Sequence, residues 1–372
     1  MGRISFIDEA RSIRAPDIDS SDCLLAERKE IAAEFYLDQV PVFAAAEMER
    51  LYQNIFSVPA MVSHRAGRSL PLSTYVARSG TTITTVFLFR KSGGRVEVLN
   101  QMIAVGQADV DSFAAQVFNR FSDVSVVAFQ AVEATFQRLA FPFQRFACTE
   151  DIVLPLPHTA QEYLAGLSTP ARQAIRTCSH RIRRAFPSFR YEVFEKEAVQ
   201  PRHICDIIKL ACAEEDERTG NFSGGADETQ ALLALVRRHG GVAVATVGDR
   251  VCAGAIVYRV GTNYFVPLTV HDPGYAGYRL DLLSFYLTVC DCIARGGSEC
   301  HFPWGRHAHT AMLPGARREL DRLMVYRPGA PMLRNAGTVL KTAFSGALHR
   351  ARDWLSDETG RQACGSGRRN GN

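Results

Sequence analysis

The sequence TYVARSGTTITTVFLFRKSG, residues 74–93, returns in outline as VAVATVGDRVCAGAIVYRVG, residues 242–261. Each reads as a strand, a glycine turn, a second strand, and then Arg with Gly close behind. Apolar or alternating runs joined by a short Gly-bearing pair are the pattern of a β-hairpin. Hairpins resemble one another, so the pair alone does not establish a duplication. The order of elements around it does more, because helices, hairpin strands, a helix and two strands are read twice along the chain. A length of 372 residues suits two domains of roughly 150–170 residues each. With 47% hydrophobic and 22% charged residues, each half has enough apolar material to bury a core.

Residues 1–40 are charged and weakly periodic, and read as a loose arm with one short helix. FAAAEMERLYQNIF (43–56) has helical spacing, and strands are expected at 71–78, 82–90 and 95–100. A helix at 110–121 and strands at 123–129 and 146–157 close the first half, set at 41–160. The second half, 161–330, opens with a helix over 168–186 announced by Ser168, Thr169 and Pro170. Helices at 203–218 and 229–240, strands at 242–249, 251–261 and 263–270, and a loop with Gly274 and Gly277 follow. A long apolar helix, a strand at 298–304 and a last strand at 320–327 end it. Beyond Pro331 the pattern predicts a basic amphipathic helix, able to dock on the domain or lie on an anionic membrane face, then a disordered tail to 372.

A net charge of +4 argues against a dedicated nucleic-acid binder. No apolar run reaches the ~18 residues that span a membrane; Val251–Val270 is broken by Arg259, Asn263 and Pro267. The start, MGRISFIDEARSIR, lacks a signal-peptide core, and Phe6 stands where a myristoylation motif has Ser or Thr, so a cytoplasmic location is expected. Ten cysteines without a CxxC pair read as reduced thiols. Cys290 and Cys292, two apart on a helix, face apart, and no metal site is expected.

Three stretches carry a resemblance: EYLAGLSTPARQAIRTCSHRIRR (162–184), VCAGAIVYRVGTNYFVPLTVHDPGYAGYRLDLLSFYL (251–287) and CHFPWGRHAHTAML (300–313). They are similar to the GNAT acyltransferase superfamily, in its cellulose-biosynthesis-type branch related to the tandem-GNAT Fem-type aminoacyl transferases. The resemblance covers 160–330 by motif and 40–160 by element order. It implies an α/β (α+β) protein of two tandem GNAT-like domains, each a mixed, mostly antiparallel sheet flanked by helices. The first would be a diverged copy and the second the acyltransferase. The implied donor is acetyl-CoA or another acyl-CoA. The implied acceptor is an amine, or a hydroxyl, on a sugar, lipid, peptide or other small molecule, as in cell-envelope polysaccharide chemistry at the inner face of a membrane.

The same resemblance assigns a site. A splayed strand would offer the backbone of Leu268, Thr269 and Val270 to pantetheine, and Pro267 fits a bulge there. The helix start beyond Gly274, Gly277, Tyr278 and Arg279 would seat pyrophosphate. Arg279 adds a charged donor, while Asp281 in the first turn stabilises the helix but repels phosphate. Glu215 and Asp216, in AEEDER (213–218), are the candidate bases. His309, with His307, Tyr275 and Tyr278 as alternatives, is the candidate donor to the leaving thiolate. The family shows a Tyr-Lys pair after Gly305, where this chain has His309-Thr310. No Cys or Ser sits in a nucleophile motif, so direct attack is expected.

Arg172, Arg176, His180, Arg183 and Arg184 form one basic helical face suited to phosphate. It keeps two rivals open. One is a Fem-type transferase that takes its group from aminoacyl-tRNA, which would be the one nucleic-acid partner. The other is a non-catalytic degenerate GNAT that binds a peptide or a membrane.

Overall fold

The computed structural model describes residues 31–66, 71–216, 226–303 and 315–329. The first half runs β1 (Ile31–Tyr36), α1 (Val42–Tyr52), α2 (Pro59–Ala66), β2 (Ser73–Ser79), β3 (Thr82–Ser92), β4 (Arg95–Val98), β5 (Ala104–Val105), α3 (Gln107–Arg120), β6 (Val126–Ala134) and β7 (Phe143–Pro155). The second runs α4 (Ala160–Gly166), α5 (Thr169–Ala185), β8 (Phe189–Glu195), α6 (Pro201–Asp216), α7 (Ala226–His239), β9 (Gly240–Val247), β10 (Arg250–Val260), β11 (Asn263–His271), α8 (Leu280–Ala294), β12 (Glu299–Pro303) and β13 (Ala316–Tyr326).

All the strands but β5 line up in one sheet, in the order β1-β2-β3-β4-β6-β13-β7-β12-β11-β10-β9-β8, and β5 pairs with β6 beside that path. Read inward from its two ends, this order matches element for element. In each half the inner pair, β4–β6 or β11–β12, is parallel. The strand that follows each inner pair comes from the other half. β13 lies against β6, β7 lies against β12, and β7 and β13 pair antiparallel from Phe143↔Val325 to Val153↔Ala316. The expected α/β architecture of helices flanking mixed sheets is therefore present, but the two sheets expected, one per half, are one continuous sheet, because the two final strands are exchanged. Residue 160 is a break in the chain order and not in the sheet.

The hairpins turn where the sequence places glycine. Gly80 and Gly248, at φ 62° and 61°, open the two-residue turns of β2–β3 and β9–β10. That backbone region suits the right-handed twist of the strands and excludes most side chains. α5 starts where expected, with Ser168 accepting a hydrogen bond from the Ala171 N–H.

Other expectations change. The helix read over 43–56 stops at Tyr52, because Gln53 takes a left-handed conformation (φ 44°) and Asn54 caps a short turn, Ile55–Ser57. Residues 31–36 of the expected loose arm form the edge strand β1. β8, α2 and α4 also form where the sequence pattern predicts no element. Residues 1–30 and the helix and tail expected after Pro331 lie outside the described residues.

Aromatic packing fills the first half. Phe113 of α3 is fully buried, with the rings of Tyr75, Phe87, Phe89 and Phe129 at 4.9, 5.3, 5.7 and 6.1 Å between centroids. Tilted and edge-on pairs of this kind each add about 0.5–1.5 kcal/mol beyond the area they bury. In the second half α5 and α8 cover one face, placing Ile175, Ile182, Leu283 and Val289 over Val266 and Phe302. α6 and α7 cover the other face with Ile204, Ile207, Leu233 and Val236. Phe56 from the first half completes that layer, 6.1 Å from the Phe265 ring.

Candidate active site

β11 and β12 pair only at Asn263↔Glu299, Tyr264↔Cys300 and Phe265↔His301. β11 nevertheless runs on to His271 and β12 to Pro303, so the two part after Phe265 and His301. On its other side β11 stays with β10, where Ile256↔Leu268 follows Tyr258↔Phe265. Two residues, Val266 and Pro267, therefore stand opposite Val257. This is a β-bulge, and it falls where the sequence places the proline. The stretch Leu268–Val270 lies beyond the fork, and its edge toward β12 has no strand partner among the described residues.

The chain leaves β11 through Asp272, which is buried. One Asp272 carboxylate oxygen accepts the Gly274 N–H at 2.8 Å and the other takes the Arg250 guanidinium. The Tyr275 amide donates to the Asp272 carbonyl at 2.9 Å, and the Arg279 amide to Ala276 at 3.1 Å. These bonds fold 273–278 into a 3₁₀ turn, so its N–H groups point inward instead of forming an open cradle. Tyr275 and Tyr278 pack on Phe186 at the end of α5, with centroids 5.5 and 5.3 Å away. The two tyrosines thus anchor the loop to α5.

What the loop leaves for an anion is the start of α8. Its N-cap, Arg279, is left-handed (φ 53°) and gives no side-chain cap. The first turn of a helix carries N–H donors without intrahelical partners and the positive end of the helix dipole. Asp281 lies 3.5 Å from the Arg279 guanidinium, which matches its charge. Arg181 stands over the Tyr278 ring at 5.7 Å. A Cβ on Gly277 would meet nothing within 4 Å, so the approach is open. The residues present fit a diphosphate at α8 and a pantetheine arm along the fork.

The remaining expected residues divide. Arg172 is tied to the α4–α5 junction by bonds of 3.0 Å to the Ala165 carbonyl and to Thr169. Arg176 and Arg183 are exposed. Arg181, absent from the expected face, is the α5 arginine beside the loop. Glu215 and Asp216 end α6, which packs on β10 and β11. His307 and His309 lie outside the described residues.

Sequence reasoning missed a row of charged groups at the base of the fork, on the face covered by α6 and α7. The His301 ring stacks on Phe265, 4.5 Å between centroids and 13° from parallel. His301 Nδ1 is 2.8 Å from Asp151 Oδ2, and the same oxygen accepts from Arg318 Nη2 at 3.0 Å. Arg318 reaches on to Glu133 at 3.5 Å and to the Met102 carbonyl at 3.4 Å. Asp151 is wholly buried and His301 is 4% exposed. The row crosses β12, β7, β13 and β6, and therefore both halves. In the first half a cavity of about 320 Å³ adjoins it, lined by Tyr52, Thr84, Thr85, Asp109 and Arg318 among others.

With this geometry in view, residues 170–311 match the family model described as acetyltransferase (GNAT) domain. No curated protein matches the chain in sequence. Among solved structures, the crystal structure of FemX shares 6% identity over 78% of this chain and 96% of that one, with a TM-score of 0.58. A tandem GNAT protein from the clavulanic acid biosynthesis pathway shares 10% identity, 81% and 100% coverage and a TM-score of 0.45. The C-terminal domain of a putative lysylphosphatidylglycerol synthetase from Agrobacterium fabrum shares 14%, 70% and 84%, and 0.44. The likeness to FemX concerns fold, and residues 170–311 match a GNAT domain, so the molecule has a GNAT-type architecture.

Proposed function

We propose that the second half, residues 161–330, is a GNAT-type acyltransferase. It moves an acyl group from acetyl-CoA or another acyl-CoA to an amine, or a hydroxyl, of a sugar, lipid or peptide by direct attack. The first half, 41–160, is a diverged copy that shapes the cleft. The observation that carries this reading is the fork after Phe265 and His301, with its bulge at Val266 and Pro267. Backbone groups of Leu268–Val270 grip the pantetheine amides, as an added strand would be held. The α8 start, Arg279 and Arg181 take the phosphates.

A melting-temperature series with CoA, acetyl-CoA and longer acyl-CoAs tests it. Binding to the native state alone stabilises by about 2.7 kcal/mol at one hundred times Kd, so the rise must grow with ligand concentration. No rise with any of them overturns the reading. The exposed Arg176 and Arg183 favour the second reading, a Fem-type transferase with a tRNA-borne donor, whose tRNA binding would weaken steeply with salt.

A further inference from the structure

Among the described residues eight buried side-chain nitrogen or oxygen atoms have no hydrogen-bond partner, and three of them belong to the row at the fork: Asp151 Oδ1, His301 Nε2 and Arg318 Nε. Buried polar groups in native proteins are almost always paired, so orphans gathered in one place ask for a physical reason. An unpaired carboxylate oxygen in an apolar surround is a strong acceptor without a donor.

The two Asp151 oxygens are not equivalent. Oδ2 accepts from His301 and Arg318, and Oδ1 accepts from nothing. Asp151 is registered opposite Pro303 on β12, just past the position where β11 and β12 part. Its carboxylate leans across β12 to His301, whose ring rests on the last paired residue of β11. A charged, covered acceptor oxygen thus stands beside the fork, on the strand that pairs with β12.

We infer that Asp151 is the proton acceptor of the transfer reaction, receiving the acceptor's N–H or O–H at Oδ1, and that His301 and Arg318 are positioning residues that fix its carboxylate through Oδ2. This rests on the acyl-transfer reading of the second half. In the step, the acceptor's lone pair forms a bond to the thioester carbonyl carbon. The carbon–sulfur bond then breaks, its electron pair leaves as the CoA thiolate, and the acceptor's proton passes to Asp151 Oδ1. That proton then neutralises the thiolate, so no further reactant is needed. The titratable and charged groups around the carboxylate are His301 on β12, with Glu299 behind it, Arg318 on β13 and, beyond it, Glu133 on β6. Glu299 lies 3.4 Å from His301 Nε2 without a hydrogen bond.

The test compares the full chain with its Asp151→Asn and His301→Gln variants, using acetyl-CoA as the probe. His301→Gln leaves the Asp151–Arg318 pair in place, so it serves even where Asp151→Asn folds poorly. Melting shifts with acetyl-CoA report binding. CoA release to water, and separately to hydroxylamine, which attacks as a neutral amine, reports chemistry. The expected result is an unchanged acetyl-CoA shift in both variants. In Asp151→Asn, release to water falls about 100-fold, the size of a lost general base. Hydroxylamine restores much of the rate, and the acid limb of the pH profile disappears. In His301→Gln that limb moves. Wild-type release with an unchanged pH profile in both variants overturns the assignment, and so does equal loss of binding and of both release routes. If the wild type neither binds acetyl-CoA nor releases CoA, the acyl-transfer reading fails first and takes this assignment with it.

Discussion

In the first half β4 pairs with β6 from Arg95↔Val126 to Val98↔Phe129, and the chain then returns as β5 to pair again at Ala104↔Glu133 and Val105↔Ala134. In the second half β11 pairs with β12 at three positions and does not return. The helix starts beyond these strands differ in the same sense. At α3 the Asp109 carboxylate accepts the Gly106 N–H at 3.2 Å and the Thr85 hydroxyl at 2.5 Å, so a charge of the chain itself occupies the positive end. At α8 the N-cap is Arg279, which brings a cation and no cap. One topology thus yields a fork closed by β5 and a fork that stays open. Both helix starts carry a first-turn carboxylate, but Asp109 caps Gly106 and binds Thr85 while Asp281 lies against Arg279.

The largest predicted effect bears on what the halves share. Arg318→Met leaves the buried Asp151 carboxylate without its guanidinium partner and should destabilise by about 3–5 kcal/mol, read from urea unfolding. Because β7 and β13 are exchanged, unfolding should remain a single transition; two separated transitions would break the picture of one cooperative sheet. Next come the two carboxylates at the helix starts. Asp272→Ala and Asp109→Ala should each remove about 1–2 kcal/mol of turn or cap stability. The acetyl-CoA melting shift should shrink in the first and stay unchanged in the second; equal shrinkage would mean that the first half also contributes to binding.

A smaller effect concerns acid. His203 on α6 and His239 on α7 both belong to the second half, and burial lowers the pKa of each from 6.5. Their neutral forms therefore favour the fold. That stability is complete above pH 6.5 and declines as pH falls below it, because the unfolded chain gains these protons first. The urea midpoint should drop on acidification, and His203→Gln should flatten the drop. Smallest of all, Arg176→Ala on the exposed side of α5 should change stability by less than about 0.5 kcal/mol. A larger loss would show that this face packs against something.

The hairpins, α5, the bulge at Pro267 and the long apolar α8 were readable because each rests on neighbours in sequence: a Gly turn, a Ser cap, a proline, a continuous apolar run. β8 was legible in principle, since RYEVFE largely alternates charged and apolar residues as a half-covered strand does, but no glycine turn or cap marks its ends. β5, two residues long, owes its existence to β6. The exchange of β7 and β13 is pairing between distant segments, and no local pattern encodes it. Asp151 and His301 were hidden for the same reason. Asp151 lies in TEDIVLP, where alternation puts it on the same side as Val153, and its partner is 150 residues away. A charged residue at a core-facing strand position was the one signal on offer. Glu215, Asp216 and His309 follow from where the resembled family places its base and its thiolate donor; Glu215 and Asp216 end α6, and His309 lies outside the described residues.

The exchanged strands also govern when this molecule can become itself. A chain made from its first residue onward, at roughly 5–20 residues per second, completes β6 long before residues 316–326 exist. Until then β6 shows an unpaired edge, and the nascent first half is a sheet lacking its last strand. Such edges recruit other chains. A ribosome-bound intermediate halted before residue 316 should hold chaperones and self-associate, and supplying the 316–326 segment in trans should suppress both.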